Sequence, residues 1–212
     1  MLGSIDGCIT SFAIISAAHG AGLSATLVVV LGLANIIADG FSMAVSNYQN
    51  VQADSDVLER LRREEAEHIA LVPDGEREEL RQIYAAKGLS GEALEQLVEA
   101  ISSDVQTWIT TMLHEEHKVS TLVANPLRAA LSTFAAFVVF GTLPLLPFAL
   151  FGSLDRMVYW LSAAVAAVCF FIVGAIKACA AGRSTFAGGL RVMAIGLMAA
   201  SLALAVGTLA SH

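Results

Sequence analysis

Apolar residues run in five long blocks, at about 4–20, 23–48, 127–150, 157–181 and 187–210, separated by short turns and one long polar stretch. Each block approaches the ~20 residues that cross a bilayer. Helix is the element expected there, because lipid offers the backbone no other partner. Gly20 and Gly22 predict a tight turn between antiparallel first and second helices. Pro144 and Pro147 predict a kink or an end in the third block. Gly152 and Ser153, with Asp155 and Arg156, mark the next turn. The polar stretch at about 50–120 takes on helical spacing of a different kind. Residues 54–71 continue the second helix outward, Pro73-Asp74-Gly75 breaks it, and 76–86 form the next helix. Ser90 is placed to cap a helix over 91–101, and Asp104 to cap the last one. Leu80, Ile83, Leu94, Leu97, Val98, Val105 and Ile109 give these helices a face to pack.

Composition sharpens this picture. With 56% hydrophobic and 15% charged residues, and a mean hydropathy of +0.69, the chain is neither disordered nor an ordinary soluble domain. Its net charge of −7 is unevenly spread: 16 of the 19 acidic and 7 of the 12 basic residues lie between Asn50 and Ser120, a local net of −9. Such a segment favours cations, and nucleic acid is not an expected partner. Lys177, Arg183 and Arg191 near the 181–187 loop, with Arg128 on the same side, set the orientation. The N-terminus and residues 50–122 are expected in the cytoplasm and the C-terminus outside. The fold class is therefore an all-α membrane protein, with five transmembrane helices and a cytoplasmic helical domain inserted between the second and third. The expected segments are 1–49, 50–122 and 123–212. Cys8, Cys169 and Cys179 lie in apolar stretches without paired spacing, which predicts neither a disulfide framework nor a thiolate metal site. The start lacks a basic n-region, so no cleaved leader is expected. With Asp6 only five residues from Met1 the first span is short, and an upstream extension would complete it.

The chemistry begins inside the second apolar block. Asn35, Asp39 and Met43 recur every fourth residue and share a helix face. A carboxylate within a membrane helix is costly and marks an ion route by default. Counted from the first turn, Asp6 lies 14 residues down one helix and Asp39 lies 16 down its neighbour. At 1.5 Å per residue their depths differ by only ~3 Å. Two carboxylates with a thioether offer a divalent ion hard and soft ligands together, which suits Fe2+ or Mn2+ better than Mg2+ or Ca2+. Repulsion between the carboxylates also permits exchange of metal against protons.

The acidic segment holds a second set. Glu64 and Glu67, and Glu76 and Glu79, are pairs one turn apart, each a bite for a hard divalent ion. Glu115 and Glu116 fall near a helix end with Met112 one turn back. Glu65 and His68 have the Glu-x-x-His spacing of di-iron bundles, but no second copy occurs. His114 and His117 flank the glutamate pair and are weaker candidates. No phosphate loop, nucleophile elbow or nucleotide motif is present. No enzymatic activity and no prosthetic group are expected, and an ion gradient must drive any transport.

Six motifs resemble the vacuolar iron transporter (VIT) family. They are GSIDGCITSFAIISAAHGAG at 3–22, LGLANIIADGFSMAVSNY at 31–48, EREELRQIYAAKGLS at 76–90, MLHEEH at 112–117, NPLRAALSTFAAF at 125–137 and GTLPLLPF at 141–148. The resemblance implies five membrane helices, a homodimer and a cytoplasmic glutamate-rich metal-binding domain. It also implies proton-coupled export of Fe2+, sometimes Mn2+, from the cytosol. Zn2+ and Co2+ are further candidate ions, and a bacterial inner membrane is the expected location. Where the family carries Gly-Glu-Tyr or Gly-Asp-Tyr, this chain has Ser46-Asn47-Tyr48. That departure, with neutral Asn35, predicts fewer protons per metal. The competing expectation is a membrane-anchored iron-binding or ferroxidase-like protein that holds metal without moving it.

Overall fold

The computed structural model describes residues 2–153 and 155–210, which are almost wholly helical. In chain order the helices are α1 (Leu2–Gly20), α2 (Ala25–Leu71), α3 (Pro73–Ala86), α4 (Gly91–Ser102), α5 (Val105–Glu115), α6 (Pro126–Thr142), α7 (Leu146–Phe151), α8 (Arg156–Ala180) and α9 (Thr185–Ala210). A 3₁₀ turn, Leu143–Leu145, joins α6 to α7. Among the described residues, four stretches are long and apolar enough to cross a membrane: α2, the run Pro126–Phe151, α8 and α9. The remaining apolar block forms α1, a helix of 19 residues. Two compact units emerge, one from Met1–Tyr48 with Leu127–His212, the other from Gln49–Pro126.

In the first unit α8 lies along α9, and α1 packs on both. Its core joins Cys8, Phe12 and Ile15 of α1 to Val28, Ile36, Phe137, Leu145, Phe148 and Phe170. Gly7 lets α1 approach α6 backbone to backbone: a Cβ there would stand 2.6 Å from the Phe137 carbonyl oxygen. On α2 the buried positions Val28, Gly32, Ile36, Gly40 and Ala44 recur every fourth residue. Leu27, Val30, Ile37 and Phe41 remain exposed and apolar, as a lipid-facing surface requires.

The proline pair does not end the Pro126–Phe151 stretch, and a carbonyl beside it finds a donor on a neighbouring helix. Pro147 has no N–H to return to the Pro144 carbonyl across the 3₁₀ turn. Ser162 Oγ of α8 donates to that oxygen instead, at 2.6 Å. Asn47 provides a second polar tie. Its Nδ2 donates to the Ala129 carbonyl at 3.1 Å and to Thr133 Oγ1 at 2.8 Å, fastening α2 to α6.

The second unit packs the outer part of α2 with α3, α4 and α5 around Leu80, Val98, Trp108, Met112 and Leu113. Asp104 caps α5 as its position suggested, accepting from Thr107 N at 2.8 Å. Ser90 stands at the α4 N-cap without a side-chain hydrogen bond. Arg81 of α3 grips Glu95 of α4 through two hydrogen bonds of 2.8 and 3.0 Å. Arg77 lies over the Trp108 ring, 5.4 Å from its centroid.

Candidate metal centre

The inward stripe of the outer α2 is Leu58, Glu65 and Ile69, all buried at intervals of seven and four residues. A glutamate thus occupies a position where an apolar residue is expected. Glu65 is 2% exposed, and its Oε1 lies 2.8 Å from His117 Nε2, just beyond the end of α5. Glu116, the C-cap of α5, joins them. Carboxylate oxygens of Glu65 and Glu116 and an imidazole nitrogen of His117 all fall within 4.8 Å of one another. Glu76, in the first turn of α3, is also buried, and His68 Nδ1 stands 3.6 Å from its Oε1.

The electrostatics mark these groups as one cluster. Burial raises the Glu76 carboxyl above the ordinary value, and the charges of Glu65, Glu79 and Glu116 add to the rise while His68 opposes it. Partial desolvation raises the Glu116 carboxyl as well, with Glu65 and Glu79 adding and His117 and His68 opposing. Four carboxylates and two imidazoles therefore share one locality, with Glu65 and Glu76 buried and Glu79 and Glu116 exposed. Glu65 Oε2 and Glu76 Oε2 are buried without a hydrogen-bond partner. Buried acceptors of this kind are costly unless something neutralises them. Acceptor oxygens with imidazole nitrogen form a donor set suited to Fe2+, Mn2+ or Zn2+.

The residues singled out from spacing divide accordingly. Glu76, Glu79 and Glu116 belong to the cluster. Met112, fully buried, sits one turn before Glu116. Glu64 is exposed and pairs with Arg60 at 3.9 Å, and Glu67 is exposed too. Glu115 is engaged by Lys87. Glu65, His68 and His117, given less weight by spacing, are the groups that the fold turns toward the other acids. The sequence did hold the signal, since Leu58 and Ile69 fix the helix phase.

In the other unit Asn35, Asp39 and Met43 are half-buried along the edge of the buried α2 stripe. Asp6 of α1 is half-buried too, and its carboxylate and that of Asp39 interact electrostatically. Met43 packs against the core, and Asn35 Nδ2 is buried without a partner.

Long apolar helices and a carboxylate–imidazole cluster define a multi-pass membrane protein with chemistry suited to cations. The VIT family model matches residues 1–208, and the chain belongs to that family. The family comprises transporters, not enzymes. Among curated relatives, vacuolar iron transporter 2 of Oryza sativa subsp. japonica is 31% identical over 207 residues, 96% of this chain and 82% of its own length. Vacuolar iron transporter 1 of Arabidopsis thaliana is 27% identical across 100% of this chain and 85% of its own. The vacuolar iron transporter of Toxoplasma gondii (strain ATCC 50861 / VEG) is 29% identical across 99% and 72%.

Proposed function

We propose that this protein is a proton-coupled secondary transporter that exports Fe2+, or a similar divalent transition metal, from the cytosol. In this reading α1 is a fifth membrane-crossing helix, the protein is a homodimer, and the 50–122 segment is a cytoplasmic metal collector. The observation that carries the reading is the buried, partnerless carboxylate oxygens of Glu65 and Glu76, set among Glu79, Glu116, His68 and His117. Those residues would bind the substrate ion, and protons would compete with it at the raised carboxyls of Glu76 and Glu116. Asp6, Asp39 and Met43, with Asn35 beside them, form the intramembrane station. There two carboxylates must be neutralised whenever metal is absent, and protons are the available counter-charge. Metal leaving the cytosol would therefore bring protons the other way.

The test is uptake of Fe2+, Mn2+, Co2+ and Zn2+ into proteoliposomes, with and without a pH gradient. Flux that follows the gradient supports the proposal. Stoichiometric metal binding with no flux would replace it with a membrane-anchored iron-binding or ferroxidase-like protein. Flux without proton counter-flow at any pH would leave a uniporter.

A further inference from the structure

The chain turns from α8 into α9 through 181–184, and beside this turn lies a cleft of about 490 Å3. Lys177, Arg183 and Arg191 line it together with Ser184, while Ala178, Val192 and Ile195 supply apolar wall. No aspartate or glutamate lines the cleft, and none of the three cations forms an ion pair among the described residues. Part of the lining is bare backbone. Gly174 and Gly188 bring the two helices together so closely that a Cβ on Gly174 would stand 2.6 Å from the Gly188 carbonyl oxygen. Ser184 Oγ accepts from Ala187 N at 3.5 Å, and the N–H groups of Thr185 and Phe186 have no intrahelical acceptor. The positive end of the α9 dipole thus adds to three unneutralised side-chain charges.

Orientation in a membrane needs basic residues, but it needs no cleft to hold them. This cleft sits at the ends of two apolar spans, and the exposed side chains Ile176, Phe186 and Leu190 flank it on those same helices. The combination matches an amphiphile with an anionic head and apolar tails. We propose that the α8–α9 cleft binds the phosphate of an anionic phospholipid headgroup, with Lys177, Arg183 and Arg191 as its cationic ligands and acyl chains along the apolar flank. The cleft shares no residue with the candidate metal groups, and the inference does not depend on the transport reading.

The purified protein, delipidated in detergent, is titrated with phosphatidylglycerol, phosphatidylcholine and inorganic phosphate, and lipid retention is read by native mass spectrometry. Phosphatidylglycerol should be retained and phosphatidylcholine should not. A basic residue near an anionic lipid surface contributes about fivefold in affinity, so K177Q/R183Q/R191Q should weaken retention on the order of a hundredfold. The charge-conserving K177R/R183K/R191K should retain the lipid, and Arg156→Gln, at the opposite end of α8, should leave retention unchanged. An unaltered helical circular dichroism spectrum establishes that each variant is folded. Equal retention of both lipids, or full retention by the triple Gln variant, would overturn the site. Inorganic phosphate competing as well as phosphatidylglycerol at equal concentration would overturn the lipid as its occupant.

Discussion

His117 Nε2 and Glu65 Oε1 stand 2.8 Å apart, although 52 residues separate them in the chain. This contact ties the end of α5 to the buried stripe of the outer α2. If the cluster holds the substrate ion, Glu65→Gln should weaken Mn2+ binding to the full-length protein by about tenfold or more, roughly 1.4 kcal/mol per decade. Glu64→Gln, one residue away on the solvent side, should change it little. Calorimetry in detergent measures both. Equal losses from the two would mean that the acids act as a diffuse charged surface.

A second expectation concerns the intramembrane set. Asp6→Asn and Met43→Ala should abolish or greatly reduce metal flux in liposomes while the helical spectrum stays as it was. Flux at the unmodified rate from both variants would remove these residues from the pathway. In the unmodified protein, metal leaving one compartment should acidify it, which a pH dye trapped in the vesicles reports.

Asn47 of α2 donates to the Ala129 carbonyl and to Thr133 Oγ1 of α6. Hydrogen bonds between membrane helices contribute about 1 kcal/mol or less each. Asn47→Ala should therefore destabilise the detergent-solubilised protein by about 1 kcal/mol. Asn47→Asp, when ionised, offers no proton to the Ala129 carbonyl and should be no better. Thermal unfolding checks this, and an unchanged midpoint for Asn47→Ala would show that the two bonds contribute nothing.

The α5 cap carries a pH dependence. The Thr107 side chain and backbone both donate to Asp104, holding its carboxyl below the ordinary value. With the folded-state pKa depressed, the folded chain binds fewer protons than the unfolded one through that range. The stabilisation is thus present above the ordinary carboxylate pKa and is lost as pH falls through the folded one. Trp108 fluorescence in a Trp160→Phe background, followed during acid titration, should show this loss. Asp104→Ala should flatten that part of the curve, and a curve identical with and without Asp104 would remove the cap as its cause.

Much of the architecture is legible in the sequence because the membrane imposes long apolar helices. The polar helices were legible through breaks such as Pro73 and caps such as Asp104. The carboxylate–imidazole cluster was only half legible. Glu64, Glu65 and Glu67 are chemically alike, and pair spacing treats 64/67 and 65/68 as equivalent. Only the phase set by Leu58 and Ile69 separates them. His117 was legible only as a weaker candidate beside His114, because its partnership with Glu65 depends on how the end of α5 packs, which no local pattern encodes.

The hydrogen bond from Ser162 to the Pro144 carbonyl has an evolutionary consequence. Pro147 created the vacancy that Ser162 fills, so the two positions cannot drift independently. A lineage that loses the hydroxyl first strands a carbonyl in an apolar setting, whereas one that first regains a backbone N–H at 147 frees position 162 to vary. Divergence here should follow a preferred order of substitution. Ser162→Ala should therefore be tolerated better in a chain already carrying Pro147→Ala than in this one.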